Sequence, residues 1–308
     1  MAAIHIRIGT RASQLALWQA NWVADRLREL GATVELVEIT TSGDRDQRDS
    51  IIEMNQQGVF TKEIQAAVLN GAADLAVHSL KDLPTETVPG LVLAAVPPRE
   101  DCFDVLVSNI ANSLAELPNG ARVGTGSLRR QAQLRALRGD LKITGIRGNV
   151  DTRLKKLAAG GYDAIVLAAA GLKRLNLAKH IVEELAPPRM LPAPGQGALG
   201  LECHRDALEV REFVSQLEHA ETRAAVDAER AMLAVLHAGC SAPVGAWGRV
   251  EHGSLKLDGL VASLDGQQVL RAAASGPLCS ALLLGEKVAQ DLLQQGAQKI
   301  IQAAKANS

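Results

Sequence analysis

One α/β plan is written twice in this chain of 308 residues. The first copy opens with a strand pattern, Ile4-His-Ile-Arg-Ile8, that runs into Gly9-Thr10-Arg11-Ala12-Ser13. Leu15, Leu17, Trp18, Trp22, Val23, Leu27 and Leu30 then recur at three- and four-residue spacings, which predicts a helix stopped by Gly31. Val34 to Ile39 alternates as a strand, and Thr61 to Leu69 reads as a helix ended by Asn70-Gly71. Asp74 to Val77 is a short buried strand leading into His78-Ser79-Leu80-Lys81-Asp82-Leu83-Pro84. The second copy repeats the plan: Arg122-Val123, Gly124-Thr125-Gly126-Ser127, a helix over Leu128 to Leu137, and a strand over Leu141 to Thr144. A helix over Val150 to Leu157, stopped by Gly160-Gly161, and a buried strand over Asp163 to Leu167 complete it. Gly9-Thr10…Ser13 matches Gly124-Thr125…Ser127, and Gly71-Ala-Ala-Asp74 matches Gly161-Tyr-Asp163.

Such a repeat predicts two α/β lobes around a ligand cleft, with open N–H groups at the strand-to-helix turns facing it. Pro97-Pro98 and Pro192-Ala-Pro-Gly-Gln-Gly197 read as the two crossings, after which Ala198 to Glu202 returns as a strand to the first lobe. Thr222 to Leu236 is helical and stops at Gly239. Alternating segments at Val244–Val250, Leu255–Leu260 and Val269–Ala273 follow, then a helix over Ser280 to Gln295. The expected architecture is thus two α/β lobes, residues 1–97 with 198–216 and residues 103–192, plus a small α+β C-terminal domain over 220–308.

Composition excludes several classes. Apolar residues make up 47% and charged residues 22%, which excludes disorder, collagen and a coiled-coil rod. No apolar run approaches the roughly 18–20 residues of a membrane helix. Residues 1–8 lack a basic start and a long apolar stretch, so no secretory signal is expected. Cys102, Cys203, Cys240 and Cys279 form no CxxC pair, so neither zinc nor a disulfide framework is expected, and the default compartment is the cytoplasm. Lys+Arg total 33 against 34 Asp+Glu, but residues 122–174 hold 12 basic and 3 acidic residues. That net of +9, against −10 elsewhere, is either a solvated basic face or the seat of an anionic partner.

The placement of the arginines favours the anionic partner. Arg129 and Arg130 sit on the first turn of the helix opened by Thr125-Gly126-Ser127, where two guanidinium groups and helix N–H groups suit a carboxylate or phosphate. Arg147-Gly-Asn-Val-Asp-Thr-Arg153 adds two cations at a second helix start, and Arg11 and Ser13 offer the same chemistry in the first copy. Gly124-x-Gly126 lacks the third glycine of a dinucleotide fingerprint, and no P-loop occurs. Asp82 is either a turn residue or a positioned carboxylate that binds N–H donors and stabilises a developing cation. His78 reads as a packing or hydrogen-bonding residue rather than a base. Cys240, just beyond a helix C-terminus, has no signal of thiol activation; it is a small buried residue or a covalent anchor.

Together Ala76-Val-His-Ser-Leu-Lys-Asp-Leu-Pro84, Gly124-Thr-Gly-Ser-Leu-Arg-Arg-Gln131, Arg147-Gly-Asn-Val-Asp-Thr-Arg-Leu154, Ala169-Ala-Gly-Leu-Lys-Arg174 and Gly239-Cys240 closely resemble the porphobilinogen deaminase family. The resemblance runs from Ile8 to about Gly296 and implies three domains, the first two like periplasmic binding proteins. It implies a transferase that joins four porphobilinogens head to tail, releasing ammonia, to give 1-hydroxymethylbilane. The chain would grow on a dipyrromethane cofactor held by a thioether at Cys240. The resemblance makes Asp82 the catalytic carboxylate, close to pyrrole N–H groups and to the cationic intermediate. Ser79, Lys81, Thr125, Ser127, Arg129, Arg130 and Arg147 would hold the cofactor along with Asp82. Arg11, Ser13, Arg147, Arg153, Arg174 and Gln196 would bind substrate carboxylates. Six pyrroles bring twelve carboxylates, a load that matches the basic segment and favours the fixed fork of arginine.

The sequence departs from the family at Asn55-Gln56-Gln57-Gly58-Val59-Phe60, where the usual Gly-Gly-Lys-Gly-Leu-Phe loses its lysine to Gln57. Gly-Gly-Cys becomes Ala238-Gly239-Cys240, and Thr-Ser-Ser becomes Thr125-Gly126-Ser127. The rivals are a non-catalytic carboxylate-binding protein and a nucleic-acid binder; seven aromatic residues and near-zero net charge argue against the latter. The expected protein is a monomer acting on a small molecule, with no metal, nucleic acid or membrane partner.

Overall fold

β1 (His5–Thr10) buries Ile6 and Ile8 on one face and lies parallel to β2 (Thr33–Glu38) and β3 (Leu75–Ser79). The computed structural model describes residues 4–39, 59–239 and 242–306. Its first compact unit comprises residues up to Arg99 together with Ala198–Arg223. Here β10 (Leu199–His204) runs antiparallel between β3 and β4 (Leu91–Ala95), which completes the five-stranded order β2-β1-β3-β10-β4. The strand at Ala198–Glu202 therefore does return to the first sheet.

Period-2 alternation sends the two faces of this sheet to two helices. Ile6, Ile8, Leu75, Val77 and Leu201 pack with Val23 and Leu27 of α1 (Gln14–Glu29). Ala76 joins Ile64 and Val68 of α2 (Val59–Leu69) on the opposite face. Burying about ten such side chains, at roughly 1.5–3 kcal/mol each, supplies the main driving force for this layer.

The second unit spans Glu100–Gly197 and the chain from Ala224 onward. The chain thus passes between units three times, at 99/100 and 197/198, next to the proline-rich segments, and at 223/224. Its first sheet has the order β7-β6-β8-β5-β9, from β5 (Asp104–Ser108), β6 (Arg122–Gly124), β7 (Lys142–Thr144), β8 (Ala164–Ala168) and β9 (Glu183–Leu185). Position for position this is the topology of the first unit, with β5 as the antiparallel strand that β10 provides there. The repeat extends to side chains. Arg7 N, Nε and Nη2 donate to the Asp74 carboxylate at 2.8, 3.0 and 2.7 Å. Arg122 N, Nε and Nη2 donate to Asp163 at 2.7, 3.3 and 3.0 Å. Those are the two aspartates that the repeated Gly…Asp motif aligns.

α3 (Leu128–Leu137) covers one face of the second sheet through Leu134. α4 (Val150–Ala158) and α5 (Ala169–Arg174) cover the other through Leu157 and Leu172. The C-terminal region of this unit has its own core. α7 (Ala220–Val235), which runs across the unit boundary and contributes from Ala224 onward, α8 (Ala281–Gln294) and α9 (Ala297–Ala306) pack on the antiparallel sheet β11-β12-β13. Its strands are Val244–Glu251, Ser254–Ala262 and Val269–Gly276. Ala132, Leu191, Leu260 and Ala262 form one buried cluster, so α3 and the small sheet share a core. α6 (Leu208–Val214), in the first unit, closes the helix count among the described residues.

Candidate functional site

In the first unit the candidate residues stand at the carboxyl ends of the neighbouring parallel strands β1 and β3, where α/β folds place their ligands. β1 ends at Thr10 and passes through Arg11 to Ser13, whose Oγ caps α1 by accepting from Ala16 N at 3.3 Å. β3 ends at Ser79 and turns through a single 3-10 turn, Leu80–Asp82. Buried Leu80 and Leu83 pin this turn, and exposed Asp82 lies between them. Leu80 N donates to Ala198 O at 3.0 Å, and Leu83 N to Leu80 O at 3.2 Å. Gln19 of α1, itself buried, donates to Ser79 Oγ at 2.8 Å and ties the two strand ends together. The result is a solvent-facing carboxylate on a backbone with little freedom, beside half-buried Lys81 and Arg11.

The second unit repeats the turn. Ser127 Oγ caps α3 by accepting from Arg130 N at 3.4 Å, and Thr125 Oγ1 accepts from Ser127 N at 3.2 Å. Arg129 and Arg130 then point inward. Both are buried and converge on Asp104 at the start of β5. Arg129 Nη1 donates to Asp104 Oδ2 at 2.6 Å and to Leu191 O at 2.6 Å. Arg130 Nε donates to Asp104 Oδ1 at 2.9 Å, and its Nη1 to Val166 O at 3.0 Å. Gln196, also buried, donates to Asp104 Oδ1 at 3.0 Å and to Cys102 O at 2.7 Å. Burial alone would raise the Asp104 pKa, but the two guanidinium charges more than offset it and hold the carboxyl well below its usual range. Burial lowers Arg129, and Asp104 counters part of that loss.

Arg174 is buried too, donating to Gly197 O at 2.7 Å, and burial brings its pKa down to about 10. Arg147, by contrast, is exposed, and among the described residues its guanidinium has no acceptor. Arg153 Nε donates to Gly148 O at 2.8 Å. Asn149 begins α4 without a side-chain cap, which leaves the first-turn N–H groups open beside these cations.

The basic segment therefore needs correction. Arg122 pairs with Asp163, Arg138 with Asp140, Lys173 with Asp101, and Arg129 and Arg130 with Asp104. Asp101 and Asp104 lie outside residues 122–174, upstream in the sequence, so a window counted along the sequence overstates the charge left for a ligand. Of the residues expected to meet ligand carboxylates, Arg129, Arg130, Arg174 and Gln196 are already engaged in the interior. Arg11, Ser13, Ser79, Lys81, Thr125, Ser127, Arg147 and Arg153 line the strand and helix ends of their own units. Sequence reasoning missed Asp104. The one available signal was that two adjacent inward arginines require a buried counter-charge.

Residues 6–212 match the family model described as "Porphobilinogen deaminase, dipyromethane cofactor binding domain", and residues 223–294 match its C-terminal domain. The chain belongs to the porphobilinogen deaminase family. The porphobilinogen deaminase of Syntrophotalea carbinolica is 48% identical over 305 residues, covering 98% of this chain and 97% of that protein. That of Stenotrophomonas maltophilia K279a is 50% identical over 298 residues, covering 96% and 98%. Among solved structures, the methionine-binding protein MetQ gives a TM-score of 0.45 at 14% identity, over 69% of this chain and 89% of that one.

A porphobilinogen deaminase carries a dipyrromethane bearing four carboxylates, and the donor set here fits such a group. Exposed Arg147 and the uncapped start of α4 offer charge and N–H donors without displacing a bond already made. Cys240, the expected attachment point, lies outside the described residues, as does Gln57 of the altered loop. The described residues reach Gly239 on one side of Cys240 and resume at Ala242 on the other.

Proposed function

We propose that Asp82 is the catalytic carboxylate of a transferase that joins four porphobilinogens head to tail, releases ammonia at each step and yields 1-hydroxymethylbilane. The observation that carries this reading is the clamped 3-10 turn. It holds Asp82 exposed at the carboxyl end of β3, in a chain of this family, with the backbone fixed at Leu80 and Leu83. A carboxylate held there accepts pyrrole N–H groups and faces the positive charge that develops as the C–N bond to ammonia breaks. Such preorganised charge acts without reorganisation during the reaction. Lys81 and Arg11, just past the carboxyl ends of the neighbouring strands β3 and β1, bind substrate carboxylates, and Ser13 and Ser79 orient them.

In the second unit Arg147 and Arg153 bind acetate and propionate groups directly. Arg129, Arg130 and Gln196 act from beneath, fixing the turn at Thr125–Ser127 through Asp104, and Arg174 anchors the segment at Gly197. Cys240 holds the dipyrromethane through a thioether, within a C-terminal domain that begins near residue 220. When bound, that cofactor supplies the terminal pyrrole carbon on which the product chain starts. The protein works as a monomer in the cytoplasm, without nucleic acid. The buried free thiols of Cys102 and Cys203 suit a reducing compartment.

Asp82→Ala tests the central role. Removing a preorganised group of this kind lowers kcat by about 10²-fold or more. The side chain is exposed, so the melting temperature should stay within about 2 °C of the parent. Parental turnover in that variant would remove Asp82 from the mechanism.

A further inference from the structure

The duplicated fold permits a comparison that isolates one polar cluster. In the first unit Gln65 of α2, His78 of β3 and Glu202 of β10 meet in the interior, each at most 5% exposed. Gln65 Nε2 donates to Glu202 Oε2 at 2.9 Å across 137 residues of sequence. His78 Nε2 lies 3.2 Å from the same oxygen, at ion-pair distance but off the hydrogen-bonding line.

The second unit has the same three positions. Gly9 pairs with Ala76 and Gly124 with Ile165, so His78, two residues on, corresponds to Leu167. Glu202 pairs with Ala76 and Val107 with Ile165, so Glu202 corresponds to Val107. Gly71 N closes on Val68 O and Gly160 N on Leu157 O, so Gln65 corresponds to Leu154. Leu167, Val107 and Leu154 pack in one apolar cluster. The fold therefore forms without polar groups at these positions, and a buried carboxylate is not a cheap substitute for valine. Only the unit with the polar trio carries a carboxylate four residues on from the His78 position, at Asp82 in the turn that follows the strand.

We propose that Gln65, His78 and Glu202 are positioning residues for the Ser79–Asp82 turn. The trio joins three elements whose relative placement sets that turn. β3 leads directly into it, Ala198 O at the entry to β10 accepts from Leu80 N, and α2 packs on β3 and hydrogen-bonds β10 through Gln65. Polar contacts fix register and distance where apolar side chains slide and repack. The proposal rests on the reading of Asp82 above, and its test separates the two.

The experiment gives the first unit the residues of the second: Gln65→Leu, His78→Leu and Glu202→Val together, in the full chain with its cofactor, beside Glu202→Gln and Asp82→Ala. The triple variant should melt at or above the parental temperature, since well-packed apolar replacement of a whole buried polar cluster is commonly neutral or stabilising. Its kcat for porphobilinogen should fall at least about tenfold with KM within about twofold, the signature of misplaced rather than missing groups. The Leu80 and Leu83 amides should exchange at least about tenfold faster. Glu202→Gln keeps the hydrogen bonds without the charge and should stay within about threefold of parental kcat. Parental kcat in the triple variant, unchanged exchange at Leu80 and Leu83, or a lower melting temperature overturns the proposal; the last would make the trio a folding element. Turnover retained by Asp82→Ala would instead overturn the role of Asp82, while the exchange rates still judge the clamp.

Discussion

Replacing Asp104 by alanine should destabilise the second unit severely. The carboxylate is buried and accepts from Arg129 at 2.6 Å, from Arg130 at 2.9 Å and from Gln196 at 3.0 Å. Its removal leaves two buried arginines side by side without a counter-charge. Leu191 O and Val166 O remain as acceptors, but neither carries charge. Breaking a buried pair by deleting one partner costs about 3–5 kcal/mol. With a urea m value near 2–3 kcal/mol/M, the midpoint should fall by about 1–2 M. Asp104→Asn preserves shape and some hydrogen bonds, and should lose about 1.5–3 kcal/mol.

The pH dependence supplies the sign. The Asp104 pKa is lower in the fold than in the unfolded chain, so its contribution is complete above the ordinary aspartate value of about 4. It fades as the pH falls below that value. Acidification should therefore destabilise the parent more steeply than Asp104→Asn. The assay is urea denaturation followed by tryptophan fluorescence at several pH values. A midpoint for Asp104→Ala within about 0.3 M of the parent would refute the claim that this carboxylate neutralises the two arginines.

Two other perturbations read the packing. A Cβ at Gly285 of α8 would meet Ala228 O, with Ala231 Cβ at 2.7 Å and Met232 N at 2.9 Å. Gly285→Ala should therefore cost about 1–3 kcal/mol and lower the melting temperature by several degrees, whereas Gly276→Ala, whose nearest neighbour is 3.7 Å away, should not. Equal melting temperatures for the two variants would contradict the close approach of α7 and α8. Burial pushes the Cys203 thiol up to about 11, while Cys279 is exposed. Iodoacetamide at pH 8 should modify Cys279 and spare Cys203, as mass mapping would show, and equal rates would contradict that burial.

Local patterns were the legible part of this fold. Ser127 as cap and Leu137 as the last apolar residue bound α3 over the residues expected. The repeated Gly…Asp motif was legible because each aspartate folds back on the first strand of its own copy, within about 70 residues. β5 was not anticipated, since an apolar run opened by an aspartate shows neither alternation nor a turn signal. Its charge is explained only by arginines 25 and 26 residues later. α9 was missed because Gly296 looks like a terminator; at φ +99° it turns the chain, and a second helix begins at Ala297. The Gln65–His78–Glu202 trio joins strands and a helix from opposite ends of a unit, so no local period announces it. The arginines were recognised as a set, yet which face inward depends on acids beyond the window in which they were counted.

The covalent primer is the feature that most sharply distinguishes this enzyme from a two-lobed binding protein. The decisive measurement is the intact mass of the purified chain, followed by mapping of the tryptic peptide from Ala231 to Arg249, which contains Cys240. The predicted result is an excess equal to two porphobilinogens less two ammonias, located on Cys240. An unmodified mass that persists after incubation with porphobilinogen, or the same adduct on Cys203 or Cys279, would contradict the account.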